Sequence, residues 1–432
     1  MAEAKKVHVL TVGGSCKPIV NAIRITEPDF VYFICSSGSS GSISSKSMVD
    51  GSGSPCREQE KDGSVRAAPS IIAQLGLEPE KYQIVEIADP DDFEECHEKL
   101  SRLKEDIENR FSDSYPEVIA NYTGGTKTMS AALVAFSLSN NWEVQCNVGP
   151  RRDLEKVRSG DMPMFVGVSR IRLYQNLQIV ASLVEGYHYG EAAEIFEHLI
   201  KDFRYVPRDD REKLIKWRSL CLGFSEWDYF HHEQALTYLE PYGSFTGQWL
   251  AFLKRLTGAK NSKKPPYEEV EDLLMNAERR AAQKRFDDAV ARLYRAVERL
   301  AQIRLEFEHE INTSNVDLNR VPESIRGSLI SDEDGKVKIG LKQAYEVLAA
   351  FENEPIGKLY QNREKKLTNA LKKRNFSILA HGNEPINEAT YSEVSEEIVS
   401  FIEKAFDVLK YKRRLQQFPK TLPDLPHGLR SK

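Results

Sequence analysis

The chain has 432 residues, 41% apolar and 29% charged, with a net charge of −5. That length predicts two or three domains of a soluble globular protein, and the negative balance excludes a protein that holds nucleic acid by overall charge; phosphate contact must come from local patches. Purely apolar stretches such as Ala131 to Phe136 are too short to cross a bilayer.

The N-terminus, Met1-Ala-Glu-Ala-Lys-Lys, has no apolar signal region, so a cytoplasmic, membrane-free protein is expected. Five β-branched runs follow: Val7–Val12, Phe30–Cys35, Ile84–Ala88, Val118–Tyr122 and Trp142–Val148. They are nearly continuous in apolar character, as strands covered on both faces are. Helical patterns fall between them, at about Pro18 to Ile25, Ser70 to Leu75, Asp91 to Arg110 and Lys127 to Asn140. The alternation predicts a Rossmann-like parallel sheet over residues 1–170. Between Ser36 and Arg66 lies a Ser/Gly-rich stretch with almost nothing to bury, expected as a mobile loop.

Six cysteines, Cys16, Cys35, Cys56, Cys96, Cys146 and Cys221, are scattered without Cys-x-x-Cys or zinc-ligand spacing. Reduced thiols and no metal are expected.

From Ile171 the strand signal fades. Residues 171–262 read as a helical linker, 263–417 as a second, all-α domain, and 418–432 as a Pro-containing tail, extended or docked. After Pro265-Pro266 a long helix is expected, interrupted or bent near Arg285. Val290, Leu293, Val297, Leu300 and Ile303 form its apolar stripe. Later helices are expected over Gly340 to Phe351, Gly357 to His381 and Tyr391 to Arg414. The fold class is thus α/β plus all-α.

Two glycine loops each join a strand to a helix: Thr11-Val-Gly-Gly-Ser-Cys-Lys17 and Asn121-Tyr-Thr-Gly-Gly-Thr-Lys-Thr128. Glycine admits a ligand to the backbone, and a helix N-terminus offers free N–H donors. Ser15, Thr126 and Thr128 add hydroxyls, and Lys17 and Lys127 add cations, which suits a phosphate-bearing ligand. Neither loop is a P-loop or a dinucleotide fingerprint. The pair resembles the CRISPR-associated Rossmann fold, or CARF, domain, most specifically in Asn-Tyr-Thr-Gly-Gly-Thr-Lys-Thr. That resemblance implies a cyclic oligoadenylate activator held by Gly14, Ser15, Lys17, Gly124, Gly125, Thr126 and Lys127 of each subunit of a dimer.

Near the C-terminus, Leu371-Lys-Lys-Arg-Asn-Phe-Ser-Ile-Leu-Ala-His381 precedes Gly382-Asn-Glu-Pro385, a helix stop. On one continuous helix Arg374 and His381 would share a face, with His381 at the C-terminal end where the dipole favours imidazolium. Lys365-Lys366 and Lys372-Lys373 would line a face that could hold an RNA backbone. This segment resembles the HEPN ribonucleases, whose motif is Arg, a polar residue, a few residues, then His. The CARF-then-HEPN order resembles the effector ribonucleases of type III CRISPR systems.

Together these resemblances imply a homodimeric endoribonuclease acting on single-stranded RNA, activated by cyclic oligoadenylate and needing no cofactor. Arg374, Asn375 and His381 would be catalytic. No acidic cluster accompanies the Arg and His, so the RNA's own 2′-hydroxyl is the expected nucleophile. Two alternatives remain: a CARF pocket that itself degrades cyclic oligoadenylate, and a non-catalytic ligand-gated scaffold.

Overall fold

The computed structural model describes residues 5–38, 44–59, 64–114, 116–148, 161–201, 208–258, 264–330, 335–375, 378 and 382–425. Only the backbone is described for Glu58, Gln59, Ser169, Arg208, Asp209 and Asn375. The chain divides into two compact units, Met1–Gln175 and Asn176–Lys432.

The first unit begins β1 (Lys6–Thr11), α1 (Lys17–Thr26), β2 (Phe30–Ser36), α2 (Lys46–Asp50), β3 (Cys56–Gln59), β4 (Val65–Ala68) and α3 (Ile71–Leu75). It continues β5 (Tyr82–Ile87), α4 (Phe93–Arg110), β6 (Glu117–Asn121), α5 (Lys127–Ser139), β7 (Glu143–Val148) and β8 (Met162–Phe165). The main sheet runs β5-β2-β1-β6-β7-β8. Its first five strands pair in parallel, and β8 returns antiparallel to β7. Val7, Val9, Tyr32 and Ile34 face Leu100, Leu103, Leu133 and Phe136 of α4 and α5. Leu10, Val31 and Phe33 face Ile19, Val20 and Ile23 of α1 on the other side. Both faces are covered, which explains the continuous apolar strands. The chain order reverses at β1, whose neighbours β2 and β6 lie on opposite sides, so the crevice between β1 and β6 is the sheet's switch point.

The Ser/Gly stretch departs from expectation. Its described part is not a bare loop: it folds into α2 and the β3–β4 hairpin. Val49 and Cys56 are fully buried in one core cluster with Ile71 and Val20, whereas Val65 is exposed. Residues 39–43 and 60–63 lie outside the described residues. The cysteine expectation also fails at one pair. Cys16, at the N-cap of α1, is disulfide-bonded to Cys56 of β3 with Cα atoms 5.8 Å apart. Cys35, Cys96, Cys146 and Cys221 are free thiols. Burial raises the Cys35 thiol to about 12.

Helix α6 (Ser169–Glu185) leads into the second unit. There follow α7 (Tyr189–Lys201), α8 (Arg208–Asp228), α9 (His232–Leu239), α10 (Gly243–Gly258), α11 (Glu268–Ala282), α12 (Phe286–His309), α13 (Glu323–Arg326), α14 (Leu341–Ala350), α15 (Pro355–Asn375) and α16 (Glu388–Val408). The interruption expected near Arg285 separates two helices, α11 and α12. Lys284 adopts a left-handed φ of 59°, which ends α11 and lets α12 fold back against it. Val290, Leu293, Val297, Leu300 and Ile303 of α12 are all buried, at the centre of a core shared with α11, α14, α15 and α16.

The segment after α16 is extended and docked on α7, α8, α10 and α11. Phe418 is buried among Tyr189, Phe224 and Trp227, beneath the Arg279 guanidinium at 3.7 Å from its ring centre. Side chains satisfy its backbone: Tyr189 Oη donates to Pro419 O at 2.6 Å, and Trp217 Nε1 to Pro423 O at 2.7 Å. The Arg414 and Leu415 amides donate to Glu271 Oε1 at 2.6 and 2.7 Å. No described helix is long and apolar enough to cross a membrane.

Candidate functional site

The two glycine loops emerge side by side at the switch point, one after β1 and one after β6. They touch through their backbones. A Cβ on Gly124 would lie 2.3 Å from Thr11 O, and one on Gly13 would lie 2.6 Å from Gly125 N. Both contacts are too close for any larger residue, so these two glycines permit loop-to-loop packing. Gly125 has φ +79°, a left-handed conformation that favours glycine. Gly14 is different: nothing lies within 4 Å of a Cβ built there, and it and Ser15 are exposed. Of the seven predicted ligand residues, then, Gly124 and Gly125 shape the loops. Gly14, Ser15 and Lys127 present open surface.

Side chains then lock this geometry. Thr11 Oγ1 donates to Gly124 O at 2.7 Å. Thr126 caps α5 by accepting from the Met129 amide at 3.2 Å, and its hydroxyl donates to Pro90 O at 2.6 Å. Thr126 is therefore held by two partners of its own, a role the sequence alone did not reveal. Lys17 opens α1 directly after Cys16. The disulfide thus ties the first loop to the β3–β4 hairpin.

Beneath the loops runs a buried polar ladder that sequence reasoning missed. Asn121 Nδ2 donates to Gln145 Oε1 and to Asn147 Oδ1, each at 2.9 Å. Asn147 Nδ2 donates to Pro18 O at 2.7 Å and to Asp161 Oδ2 at 2.6 Å. Asn121 Oδ1 accepts from the Thr123 hydroxyl at 2.6 Å. The ladder joins β6, β7 and the start of α1, so it fixes both loops to one base. His8 ends it, bonded to Gln145 at 3.1 Å, and complete burial pushes its imidazole down to about 3. The polar character of residues 121, 145 and 147 at strand positions was the available signal.

In the second unit, Arg374 sits in the last turn of α15, half-buried, with its guanidinium over the Tyr294 ring of α12 at 4.7 Å. Burial and the nearby Glu298 raise the Tyr294 hydroxyl. Of the helix expected over Gly357 to His381, the part to Asn375 is described; residues 376, 377 and 379–381 lie outside the described residues. As described, α15 stops at Asn375, and the Ile378 amide donates to Glu384 O at 3.1 Å instead of back to Arg374. His381 lies outside the described residues, as does the side chain of Asn375. Beyond the turn, the Ile386 amide donates to Asp287 Oδ2 of α12 at 3.0 Å. Lys365, Lys366, Lys372 and Lys373 are exposed along α15, and Lys373 pairs with Glu393 of α16. Among the described residues, no group of three or more His, Cys, Asp or Glu is placed to hold a metal ion.

Residues 259–405 match the family model of the Csm6 HEPN domain. No curated protein matches the chain by sequence. Among solved structures, Csm6 from Enterococcus italicus bound to cyclic hexa-2′-fluoro-hexa-dAMP aligns with a TM-score of 0.57 at 13% identity, over 94% of this chain and 95% of that one. VC1899 from Vibrio cholerae aligns with a TM-score of 0.25 at 13% identity, over 48% and 54%. Can2 from Sulfobacillus thermosulfidooxidans, in complex with cyclic tetra-adenylate, aligns with a TM-score of 0.23 at 12% identity, over 56% and 68%.

A Rossmann-like unit with paired glycine loops is thus followed by a helical unit, of which residues 259–405 match the family model of the Csm6 HEPN domain. Over nearly its whole length the chain shares its fold with the Enterococcus italicus Csm6 structure.

Proposed function

We propose that this chain is a homodimeric, metal-independent endoribonuclease that cuts single-stranded RNA when a cyclic oligoadenylate binds its first unit. The observation that carries the reading is the Csm6 HEPN match, whose span encloses Arg374, Asn375 and His381. The adjacent glycine loops at the switch point support the ligand half, as does the cyclic hexanucleotide analogue bound by the Enterococcus italicus protein.

The chemistry follows from the residue types. The RNA 2′-hydroxyl attacks the adjacent phosphorus, its proton is removed, and the 5′-oxygen of the next nucleotide departs with a proton. The products are a 2′,3′-cyclic phosphate and a 5′-hydroxyl. His381 moves protons, being the side chain whose ordinary pKa lies near neutrality. The Arg374 guanidinium stabilises charge growing on the phosphoryl oxygens. Asn375 orients either group. One Arg and one His from each of two subunits would form a composite cleft about a two-fold axis. The ligand pocket would be doubled in the same way: Gly14, Ser15, Lys17, Gly124, Gly125, Thr126 and Lys127 of both subunits surround one ring. Ring binding shifts a dimer geometry that the HEPN pair feels.

The test is product analysis. RNA cut by the purified protein in EDTA should carry 2′,3′-cyclic phosphate and 5′-hydroxyl ends. Cleavage that stops in EDTA and returns with magnesium would refute the chemistry.

A further inference from the structure

Arg374 occupies the final turn of α15, where intrahelical hydrogen bonds run out and a long side chain has many rotamers. A guanidinium that must meet a phosphate in the transition state loses rate if it has to be ordered at that moment. Here a second helix supplies the order. Tyr294 projects from α12 eighty positions earlier in the chain, and its ring lies under the Arg374 Cζ at 4.7 Å. The ring is itself fixed, because Tyr294 packs against the buried core of the helical unit and its neighbours Leu293 and Val297 are fully buried.

From this contact we infer that Tyr294 is a positioning residue for the ribonuclease site: its π-face holds the Arg374 guanidinium in place without touching the RNA. The inference rests on the ribonuclease reading, in which Arg374 meets the scissile phosphate. The electrostatic attraction of a cation to an aromatic face sets the effect. The phenol oxygen is not needed, only the electron-rich ring.

The test replaces Tyr294 by phenylalanine and then by mono-, di- and trifluorinated phenylalanines, which keep shape and packing while draining the π-face. Single-stranded RNA cleavage is measured in EDTA with saturating cyclic oligoadenylate. Tyr294→Phe should keep kcat within about twofold. Each added fluorine should lower kcat further, to about tenfold below Phe for the trifluoro ring, or about 1.4 kcal/mol, with KM for RNA moving less than about twofold. A flat fluorine series, or a loss already complete at Tyr294→Phe, would overturn the inference. Arg374→Ala separates the two levels. If that variant cleaves normally, the ribonuclease assignment of Arg374 has failed. If it is inactive while the fluorine series is flat, only the role of Tyr294 has failed.

Discussion

Thr11 and Gly124 meet across the switch point of the sheet, the hydroxyl of one donating to the carbonyl of the other at 2.7 Å. They stand 113 positions apart, yet this contact sets the distance between the two loops. It permits a graded prediction. Thr11→Val removes one hydrogen bond while Ser130 still donates to Gly124 O at 2.9 Å, so it should cost about 0.5–1.5 kcal/mol. Gly124→Ala places a methyl 2.3 Å from Thr11 O and should cost about 1–3 kcal/mol. Calorimetric titration with cyclic oligoadenylate should show Gly124→Ala weakening binding more than Thr11→Val.

The Cys16–Cys56 bridge closes a loop of separation 40. Crosslinks of that span stabilise by roughly 4 kcal/mol, chiefly by restricting the unfolded chain. Unfolding in iodoacetamide without reductant should label Cys35, Cys96, Cys146 and Cys221 and spare Cys16 and Cys56. Prior reduction should expose all six cysteines. Labelling of all six without reductant would show that the bridge does not form. Cys56→Ser should lower the melting temperature of the first unit.

Acid should weaken the first unit through His8. Its folded pKa, about 3, lies below the ordinary 6.5 because burial disfavours the charged ring. Between those values the unfolded chain binds a proton that the folded chain refuses, so stability falls as pH drops below 6.5. From pH 7 to pH 5 the loss should reach about 2 kcal/mol. In His8→Gln the drop between those two pH values should shrink by that amount, measured by denaturant titration at each.

Much of the architecture was legible in the chain, and the reason is local. Five strands announce themselves as nearly continuous apolar runs, and in Val7 to Thr11 and Phe30 to Cys35 every residue is buried. The α12 stripe is legible for the same reason. What stayed hidden is non-local or weakly patterned. Strand β8 leaves Met162, Met164 and Phe165 exposed and so lacks the burial that marks its neighbours. The β3–β4 hairpin buries little beyond Cys56 and Ala68, and its disulfide depends on how Val49 and Ile71 pack. The Arg374–Tyr294 contact joins two helices and leaves no trace in either segment alone.

The docked C-terminal segment should behave as part of the helical core. Phe418 fills a cluster with Tyr189, Phe224 and Trp227, and Phe418→Ala should cost about 3–5 kcal/mol. For a unit of this size that is roughly 6–20 °C in melting temperature. A shift under about 2 °C in differential scanning calorimetry would show that the segment is not seated there in solution.

In the proposed function, a ring bound at the glycine loops of the first unit controls cutting by the second. Gly14 offers the cleanest handle, since a Cβ added there meets nothing of the protein within 4 Å. The decisive measurement is the initial rate of single-stranded RNA cleavage in EDTA, with and without cyclic oligoadenylate, for the native chain, Gly14→Leu and His381→Ala. The account predicts stimulation of the native chain, an unstimulated basal rate in Gly14→Leu, and no cleavage in a His381→Ala protein that still binds the ring. Equal rates with and without the ring in the native chain, or undiminished cleavage by His381→Ala, would contradict it.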